Sequence, residues 1–311
     1  MKLRYWENPH QEAKFSWDLS ELFDTLNGKA LSYNNLVDID AAMNLIQEFN
    51  KSIPTVAIFK HTNSCWLATA ESINDAYNRA LECDKKSAFG WIMIFNQEID
   101  LETAESIWDF FCEVIIAPSY TNEALEKLKY KKKSRRILRQ KIDLVVNTQV
   151  RSILNGTITQ NYDNAIEDKN DFKVVTKKHP TKQEVSDIEF GIKAVKHLKS
   201  NAIAIVKNGQ LIWMGCWQVS RIDALDQAIS KAQSIYKEKK DKSKHNNFDL
   251  QGAVMVSDAF FPFNDCVKTA TKVWISAIAQ PGGSQRDQDS IDASNNNNIA
   301  MVMTWIRHFK H

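Results

Sequence analysis

Short apolar runs, each the length of one β-strand, recur down this chain and alternate with segments of helical pattern. Thr55-Val-Ala-Ile-Phe59 is one; Ile92–Phe95, Val114–Ala117, Asn201–Lys207, Leu211–Cys216, Gly252–Val256, Ile275–Ala279 and Ile299–Thr304 are others. Runs of four to eight β-branched and apolar residues bounded by polar loops read as buried strands. Between them lie helical patterns over Val37–Phe49, Glu102–Phe111, Thr121–Lys131, Arg221–Lys237 and Gln288–Asn295. Thr181-Lys-Gln-Glu184 is a capping box that opens a further helix, to about Lys199. Asp18–Leu26 also reads as a helix, stopped by Asn27-Gly28. Alternation of this kind confines the chain to α/β layers. The two halves share a rhythm of elements, with a candidate boundary in the polar stretch Asn161–Asp171.

The totals narrow the class further. The chain has 311 residues, 43% hydrophobic and 25% charged, with 40 basic against 38 acidic residues and a net charge of +2. So even a balance gives no basic field for nucleic acid or a membrane surface. No apolar run reaches the length of a membrane span, and the first residues lack the pattern of a signal peptide. Five scattered cysteines without CxxC spacing read as reduced thiols of a cytoplasmic protein.

Candidate chemistry gathers after the first strong strand. Lys60 and His61 follow Phe59, and a polar loop with a helix from about Thr69–Ser72 is expected next. A fixed positive charge beside a group that titrates near neutrality can stabilise an oxyanion and move a proton. The bland alternative is a surface lysine and a hydrogen-bonded structural histidine. A zinc deaminase needs H-x-E followed by P-C-x-x-C. Here His61 is followed by Thr62-Asn63, and Cys65 has no cysteine three residues on, so no zinc site is expected. There is no Walker loop and no GxGxxG. Phe260, Phe261 and Phe263 flank Pro262 and read equally as core or as a clamp on a flat ring. The tail Arg307-His-Phe-Lys-His311 suits a phosphate or is a frayed end. Lys131–Arg139 reads as a solvated basic face, and Asn155-Gly156 as a hairpin turn.

Taken in order, the motifs are more specific than any one of them. They include Leu3-Arg-Tyr-x-Glu-Asn-Pro-His-Gln11, Leu31-Ser-Tyr-Asn-Asn35, Lys60-His61-x-Asn63-x-Cys65, Ser87-Ala-Phe-Gly90 and Glu113-Val-Ile-Ile-Ala-Pro118. Lys199-Ser-Asn201, Gln218-x-Ser220-Arg221, Ser257-Asp-Ala-Phe-Phe-Pro-Phe263, Gln280-Pro-Gly-Gly-Ser284 and Arg307-His-Phe-x-His311 follow. From Leu3 to His311 the chain resembles the transformylase half of the AICAR transformylase/IMP cyclohydrolase family, without the cyclohydrolase half. The resemblance implies two tandem cytidine-deaminase-like three-layer subdomains without zinc, over 1–170 and 171–311. It also implies a homodimer with active sites at the subunit interface. The implied reaction moves a formyl group from 10-formyltetrahydrofolate to the 5-amino group of AICAR; a monovalent cation near the nucleotide is left open. By the same resemblance Lys60, His61 and Asn201 are catalytic. Arg4, Tyr5, Arg221 and Arg307 hold the nucleotide, Phe89, Phe261, Phe263 and Asp265 face the folate, and Asn63, Gly90 and Pro262 line the site.

The chain departs from the family in one systematic way. It has nine Gly and nine Trp, and nine in 311 is about 3%, under half the usual glycine share. Trp6, Trp17, Trp66, Trp91, Trp213, Trp217, Trp274 and Trp305 fall where the family pattern has or suits glycine. Indoles at Trp66 and Trp91 are expected to intrude on the site, and eight such insertions to disrupt folding or binding. One reading is an inactive homologue that binds a ligand or partner. The preferred one is that UGA codons, read as glycine in some bacterial lineages, are written here as tryptophan, which explains deficit and excess together. Ser64, Lys85-Lys86 and Gln285 depart from the family without that explanation. An unrelated α/β hydrolase or lyase using His61 is the remaining alternative.

Overall fold

The computed structural model describes residues 3, 5–82, 90–240 and 250–311. Its first half runs β1 (Phe23–Asn27), α1 (Tyr33–Ile46), β2 (Thr55–Lys60), β3 (Asn63–Thr69), α2 (Ile73–Leu81), β4 (Trp91–Phe95), α3 (Leu101–Trp108), β5 (Cys112–Ala117), α4 (Asn122–Lys129) and β6 (Arg136–Gln140). A hairpin of β7 (Thr148–Ile153) and β8 (Gly156–Asn161) follows. The second half runs β9 (Lys173–Val174), α5 (Lys182–Lys196), β10 (Ile203–Lys207), β11 (Gln210–Gly215), α6 (Arg221–Lys240), β12 (Val254–Ser257), α7 (Asp265–Lys272), β13 (Ala277–Gln280), α8 (Asp287–Asn296) and β14 (Ala300–Met303).

All strands but the hairpin join one 12-stranded sheet in the order β1-β6-β5-β4-β2-β3-β11-β10-β12-β13-β14-β9. Read outward from its centre, each half has the same order. The strand senses match as well: antiparallel for the first three strands, parallel across β4-β5-β6 and β12-β13-β14, and antiparallel at the edge. The rhythm seen in the sequence is thus a repeated topology, and the β7–β8 hairpin has no counterpart among the described residues of the second half. The halves meet where β3 pairs with β11, at Ala68 and Gln210. Thr69 N–H donates to Gly209 O at 2.9 Å beside that pair.

Alternation along the strands builds two core layers. Val56 and Ile58 face the layer covered by α2, α3, α4, α6, α7 and α8, and Ala57 and Phe59 face the layer under α1 and α5. Helix starts follow their caps. Ser32 and Thr181 close capping boxes on α1 and α5, and Ser72, Asp100 and Thr121 cap α2, α3 and α4. Among the described residues no helix is long and apolar enough to cross a membrane, and Cys112, Cys216 and Cys266 are free thiols.

Several expectations are corrected. Asp18–Leu26 is a 3-10 turn, Leu19–Glu21, followed by strand β1, because Phe23 and the residues after it pair with β6 along the sheet edge. The polar loop expected after Lys60-His61 is strand β3, whose Trp66, Leu67 and Ala68 bury against both layers. The Lys131–Arg139 stretch is solvated at Lys131, Lys133, Ser134 and Arg139 but not between them. It holds β6, and Arg135 and Arg136 are buried with their guanidinium groups donating to the carbonyls of Phe110 and Ala30. Asp265–Lys272 is a helix that the sequence reading left unassigned.

Six of the nine tryptophans fall into two groups. Trp66, Trp91 and Trp213 do not intrude on the site; they stack in the core between sheet and helices, with Trp66 and Trp91 ring centres 4.1 Å apart. The indole N–H groups of Trp66 and Trp91 are buried without a hydrogen-bond partner among the described residues, a cost of about 1–3 kcal/mol each. Trp217, Trp274 and Trp305 are exposed and sit at φ 59°, 65° and 65°. That left-handed region favours glycine, and a bulky side chain there is strained.

Candidate functional site

The site begins at the β2–β3 turn. Lys60 closes β2, Asn63 opens β3 opposite it, and His61 and Thr62 form a two-residue turn with φ of 52° and 63°. Two consecutive left-handed residues are the pattern of the tight hairpin turn that matches strand twist. The conformation is held locally. Asp38 Oδ1 on α1 accepts the Thr62 N–H at 2.6 Å, Thr62 Oγ1 donates to His61 O at 2.7 Å, and Asn63 Nδ2 donates to His61 O at 3.0 Å. The His61 side chain is exposed and Lys60 half-buried. Burial raises the Asp38 carboxyl above the usual range; the Thr62 and His61 N–H groups and the nearby His61 ring oppose this, and Glu113 adds to it. Glu113 accepts from Asn35 Nδ2 at 3.0 Å and lies 3.8 Å from Arg136. Gly90, at φ +76°, leaves room beside it, since a Cβ there would come within 3.3 Å of Glu113 Oε1.

The second half brings its own loops to this turn. Cys216 Sγ lies 3.4 Å from Asn63 Oδ1. Gln218 Nε2 donates to Cys216 O, and Gln218 O accepts both the backbone N–H of Asn201 at 3.1 Å and its side-chain Nδ2 at 2.9 Å. A relay of hydrogen bonds through Cys216 and Gln218 thus links Asn63, the neighbour of the Lys60-His61 pair, to Asn201. The C-terminal tail joins it. Ser200 N–H donates to Lys310 O at 2.8 Å, Lys310 N–H returns to Ser200 Oγ at 3.1 Å, and His308 N–H donates to Asp258 O at 2.9 Å. The tail is pinned along its length rather than frayed.

Arg307 and Lys310 then face a cavity of about 670 Å3, whose wall includes Lys196, His311 and, from the hairpin, Arg151 and Gln160. Arg151, Lys196, Arg307 and Lys310 outnumber the one carboxylate of the wall, Asp163, so the balance of charge favours an anion. Lys310 is pushed below the usual lysine range by burial, with Asp40 acting against that and Lys199 with it. The Arg307 guanidinium stacks over Phe309 at 4.5 Å.

Other predicted site residues are placed differently. Arg221 is 7% exposed, and its guanidinium donates to Ser257 Oγ at 2.8 Å and to buried Asp258 Oδ1 at 2.6 Å. It ties the start of α6 to the end of β12. Phe261 is fully buried in the core, Pro262 and Phe263 are exposed, and Asp265 opens α7. This segment meets the relay through Ser257 and Asp258, the latter accepting from Ser200 Oγ at 2.5 Å. Tyr5 is exposed, with its carbonyl accepting the Tyr33 N–H. Arg4 and Phe89 lie outside the described residues.

His308 is not available to a phosphate. Its Nδ1 and Nε2 each lie 2.6 Å from a carboxylate, Asp163 and Glu167 respectively. Burial acts to lower its pKa, and the two carboxylates overcome that and lift it to about 9. Neither this clasp nor Asp38 is legible in the local pattern, because each partner is distant in the chain and neither forms a motif with the histidine it serves. Among the described residues no group of three His, Cys, Asp or Glu side chains is arranged to hold a metal ion.

Fold and site together define a duplicated α/β protein whose lysine–histidine turn is linked, through Asn63, Cys216, Gln218, Asn201 and Ser200, to Lys310 in the wall of a cationic cavity. Residues 1–231 match the family model described as AICARFT/IMPCHase bienzyme. The bifunctional purine biosynthesis protein PurH of Bacteroides thetaiotaomicron is 48% identical over 310 residues, covering 100% of this chain and 58% of the relative. The PurH proteins of Chlorobium phaeobacteroides and Caldicellulosiruptor saccharolyticus are 43% and 42% identical over 320 residues, covering 100% of this chain and 59% of each. The chain belongs to the AICARFT/IMPCHase bienzyme family. It spans 58–59% of the length of these curated relatives.

Proposed function

We propose that this chain is the AICAR formyltransferase of the family, acting in purine (IMP) synthesis. It takes a formyl group from 10-formyltetrahydrofolate and gives FAICAR and tetrahydrofolate. What supports this reading is the relay of hydrogen bonds that runs from Asn63, beside Lys60-His61, through Cys216 and Gln218 to Asn201, and on from Ser200 to Lys310 in the wall of the cationic cavity.

The chemistry follows from those groups. The amine of AICAR is conjugated with its ring and carboxamide, so it is a weak nucleophile and must shed a proton as it attacks the formyl carbon. His61 takes that proton. The Lys60 ammonium stabilises the tetrahedral oxyanion, and Asn201 hydrogen-bonds the transferring formyl group. Collapse breaks the bond from the formyl carbon to folate N10, which leaves with a proton. A positioned general base contributes about 10²–10⁴ in rate, and an oxyanion donor about 10²–10³.

Arg307 and Lys310 receive the 5′-phosphate in the cavity, with Arg4 and Tyr5 completing the nucleotide contacts. Arg221, already paired with Asp258, shapes the site from below. Phe89, Gly90, Phe261, Pro262, Phe263 and Asp265 make up the folate side, with Phe261 acting from the core. The repeated half-sheets are consistent with two tandem cytidine-deaminase-like subdomains, 1–170 and 171–311. The working unit is a homodimer with sites at its interface, needing no zinc.

The test is folate-dependent formylation of AICAR by the chain as written and by a form with glycine at the eight tryptophan positions. His61→Ala is expected to lower kcat by about 10²–10⁴ and Lys60→Met by about 10²–10³. Absence of transfer in both forms would overturn the reading and favour an inactive binding homologue.

A further inference from the structure

The two half-sheets contain the same device twice, and only one copy carries reactive residues. The β2–β3 turn is His61-Thr62, and the matching β10–β11 turn is Asn208-Gly209, at φ 53° and 69°. In the second half a carboxylate holds the turn. Asp187 accepts the Asn208 N–H on Oδ2 at 2.8 Å and the Gly209 N–H on Oδ1 at 2.7 Å. Asp187 lies on α5, six residues past the N-cap Thr181. Asp38 lies on α1, also six residues past its N-cap, Ser32, and takes the Thr62 N–H at 2.6 Å. The His61 N–H acts on it as well.

The two turns differ in how much they need this help. Asn-Gly is the pair that adopts two left-handed residues most readily. His-Thr is not, and a β-branched threonine in that region is disfavoured more than most residues. The first half has kept the fold's turn and given up the residues that favour it.

We infer that Asp38 is the positioning residue of the proposed catalytic turn: its carboxylate, by gathering the backbone N–H groups of Thr62 and His61, fixes the direction in which His61 and Lys60 leave the sheet. Asp38 touches no reacting atom in this role. The inference rests on the formyltransferase reading and deepens it.

The experiment compares Asp38→Ala, Asp38→Asn, Asp187→Ala and His61→Ala in the form of the chain that transfers formyl. Asp38→Ala is expected to lower kcat by about 10–100-fold, with KM for AICAR and for the folate changed less than threefold, as misplacement of a catalytic group does. Asp38→Asn keeps an oxygen to accept the Thr62 N–H and is expected to recover kcat to within about fivefold of the parent. Asp187→Ala is expected to lower the melting temperature while leaving kcat within threefold. Amide hydrogen exchange at Thr62 should quicken in Asp38→Ala and stay near the parent rate in Asp38→Asn; this readout needs no activity. If Asp38→Ala does not fold, Asp38→Glu, which keeps the charge but moves the acceptor, should show the same fall in kcat. Full activity in Asp38→Ala beside a dead His61→Ala overturns this inference alone, as does Asp38→Asn failing as badly as Asp38→Ala. Full activity in both Asp38→Ala and His61→Ala overturns the site reading beneath it.

Discussion

Replacing Trp274 by glycine should stabilise the protein, which is the reverse of what removing a large aromatic residue usually does. Trp274 sits at φ 65° and is 70% exposed. A non-glycine residue held in the left-handed region costs of order 1–2 kcal/mol. Glycine carries none of that strain but loses more freedom on folding, which returns about 0.4–1 kcal/mol. The indole contributes little to offset the strain because most of it is in solvent. The net expectation is a gain of about 0.5–1 kcal/mol. At Trp217 and Trp305 the same gain is partly cancelled, since Lys199 lies 4.0 Å above the Trp217 ring and Lys173 5.8 Å from that of Trp305. Exposed contacts of this kind are worth about 0.5–1 kcal/mol. The assay is urea unfolding of Trp274→Gly and Trp274→Ala beside the parent. An upward shift of the midpoint at constant slope reports stability rather than a change in compactness. Alanine removes the indole but keeps the Cβ that clashes, so it should show no such gain. Equal midpoints for the glycine and alanine forms, or a lower midpoint for glycine, would refute the strain argument and with it the physical case for glycine at this position.

Three further outcomes follow from the same structure. His308 titrates at about 9 when folded against 6.5 when free, so its clasp contributes fully below pH 6.5 and is lost as the pH rises through 9. At 1.36 kcal/mol per pH unit this is about 3 kcal/mol, reduced to about 2 because Asp163 is partly solvated. Urea midpoints should therefore fall between pH 6.5 and 9.5 in the parent and flatten over that window in His308→Gln. Asp258→Asn should cost about 3–5 kcal/mol, because it leaves the buried Arg221 guanidinium short of its counter-charge; thermal unfolding measures it. Removing the hairpin between Thr148 and Asn161 and closing the gap with a short turn should spare the fold, since every residue of both strands is exposed. The same deletion should weaken AICAR binding, because it takes Arg151 and Gln160 from the cavity wall.

Much of the fold was legible because burial imposes period two on strands and caps announce helices. Thr181–Glu184 formed the capping box expected of it, and the hairpin expected at Asn155-Gly156 forms with Leu154 and Asn155 in the turn and Gly156 opening β8. The failures occurred where pairing overrode local pattern. Phe23–Asn27 looks helical in isolation but completes a sheet edge against β6, and Arg136–Gln140 looks like a charged face but is a strand whose first arginine serves the carbonyls of Lys29 and Ala30. At the candidate site, the residues proposed to react stand side by side in the sequence as Lys60-His61. Their support did not: Asp38 precedes His61 by a helix and a strand, and Asp163 and Glu167 reach His308 from the far side of the sequence. Nor did composition alone separate the tryptophans that pack a core from those that occupy left-handed turns.

The central claim is a formyl transfer carried by the Lys60–His61 turn. The most direct measurement incubates AICAR and 10-formyltetrahydrofolate with the glycine-restored chain and with its His61→Ala variant, following FAICAR and tetrahydrofolate together. The account predicts equal appearance of both products with the parent form, and a loss of about 10²–10⁴ in kcat for His61→Ala with the fold intact by circular dichroism. Product formation undiminished in His61→Ala, or none from a folded parent form that binds AICAR, would contradict it.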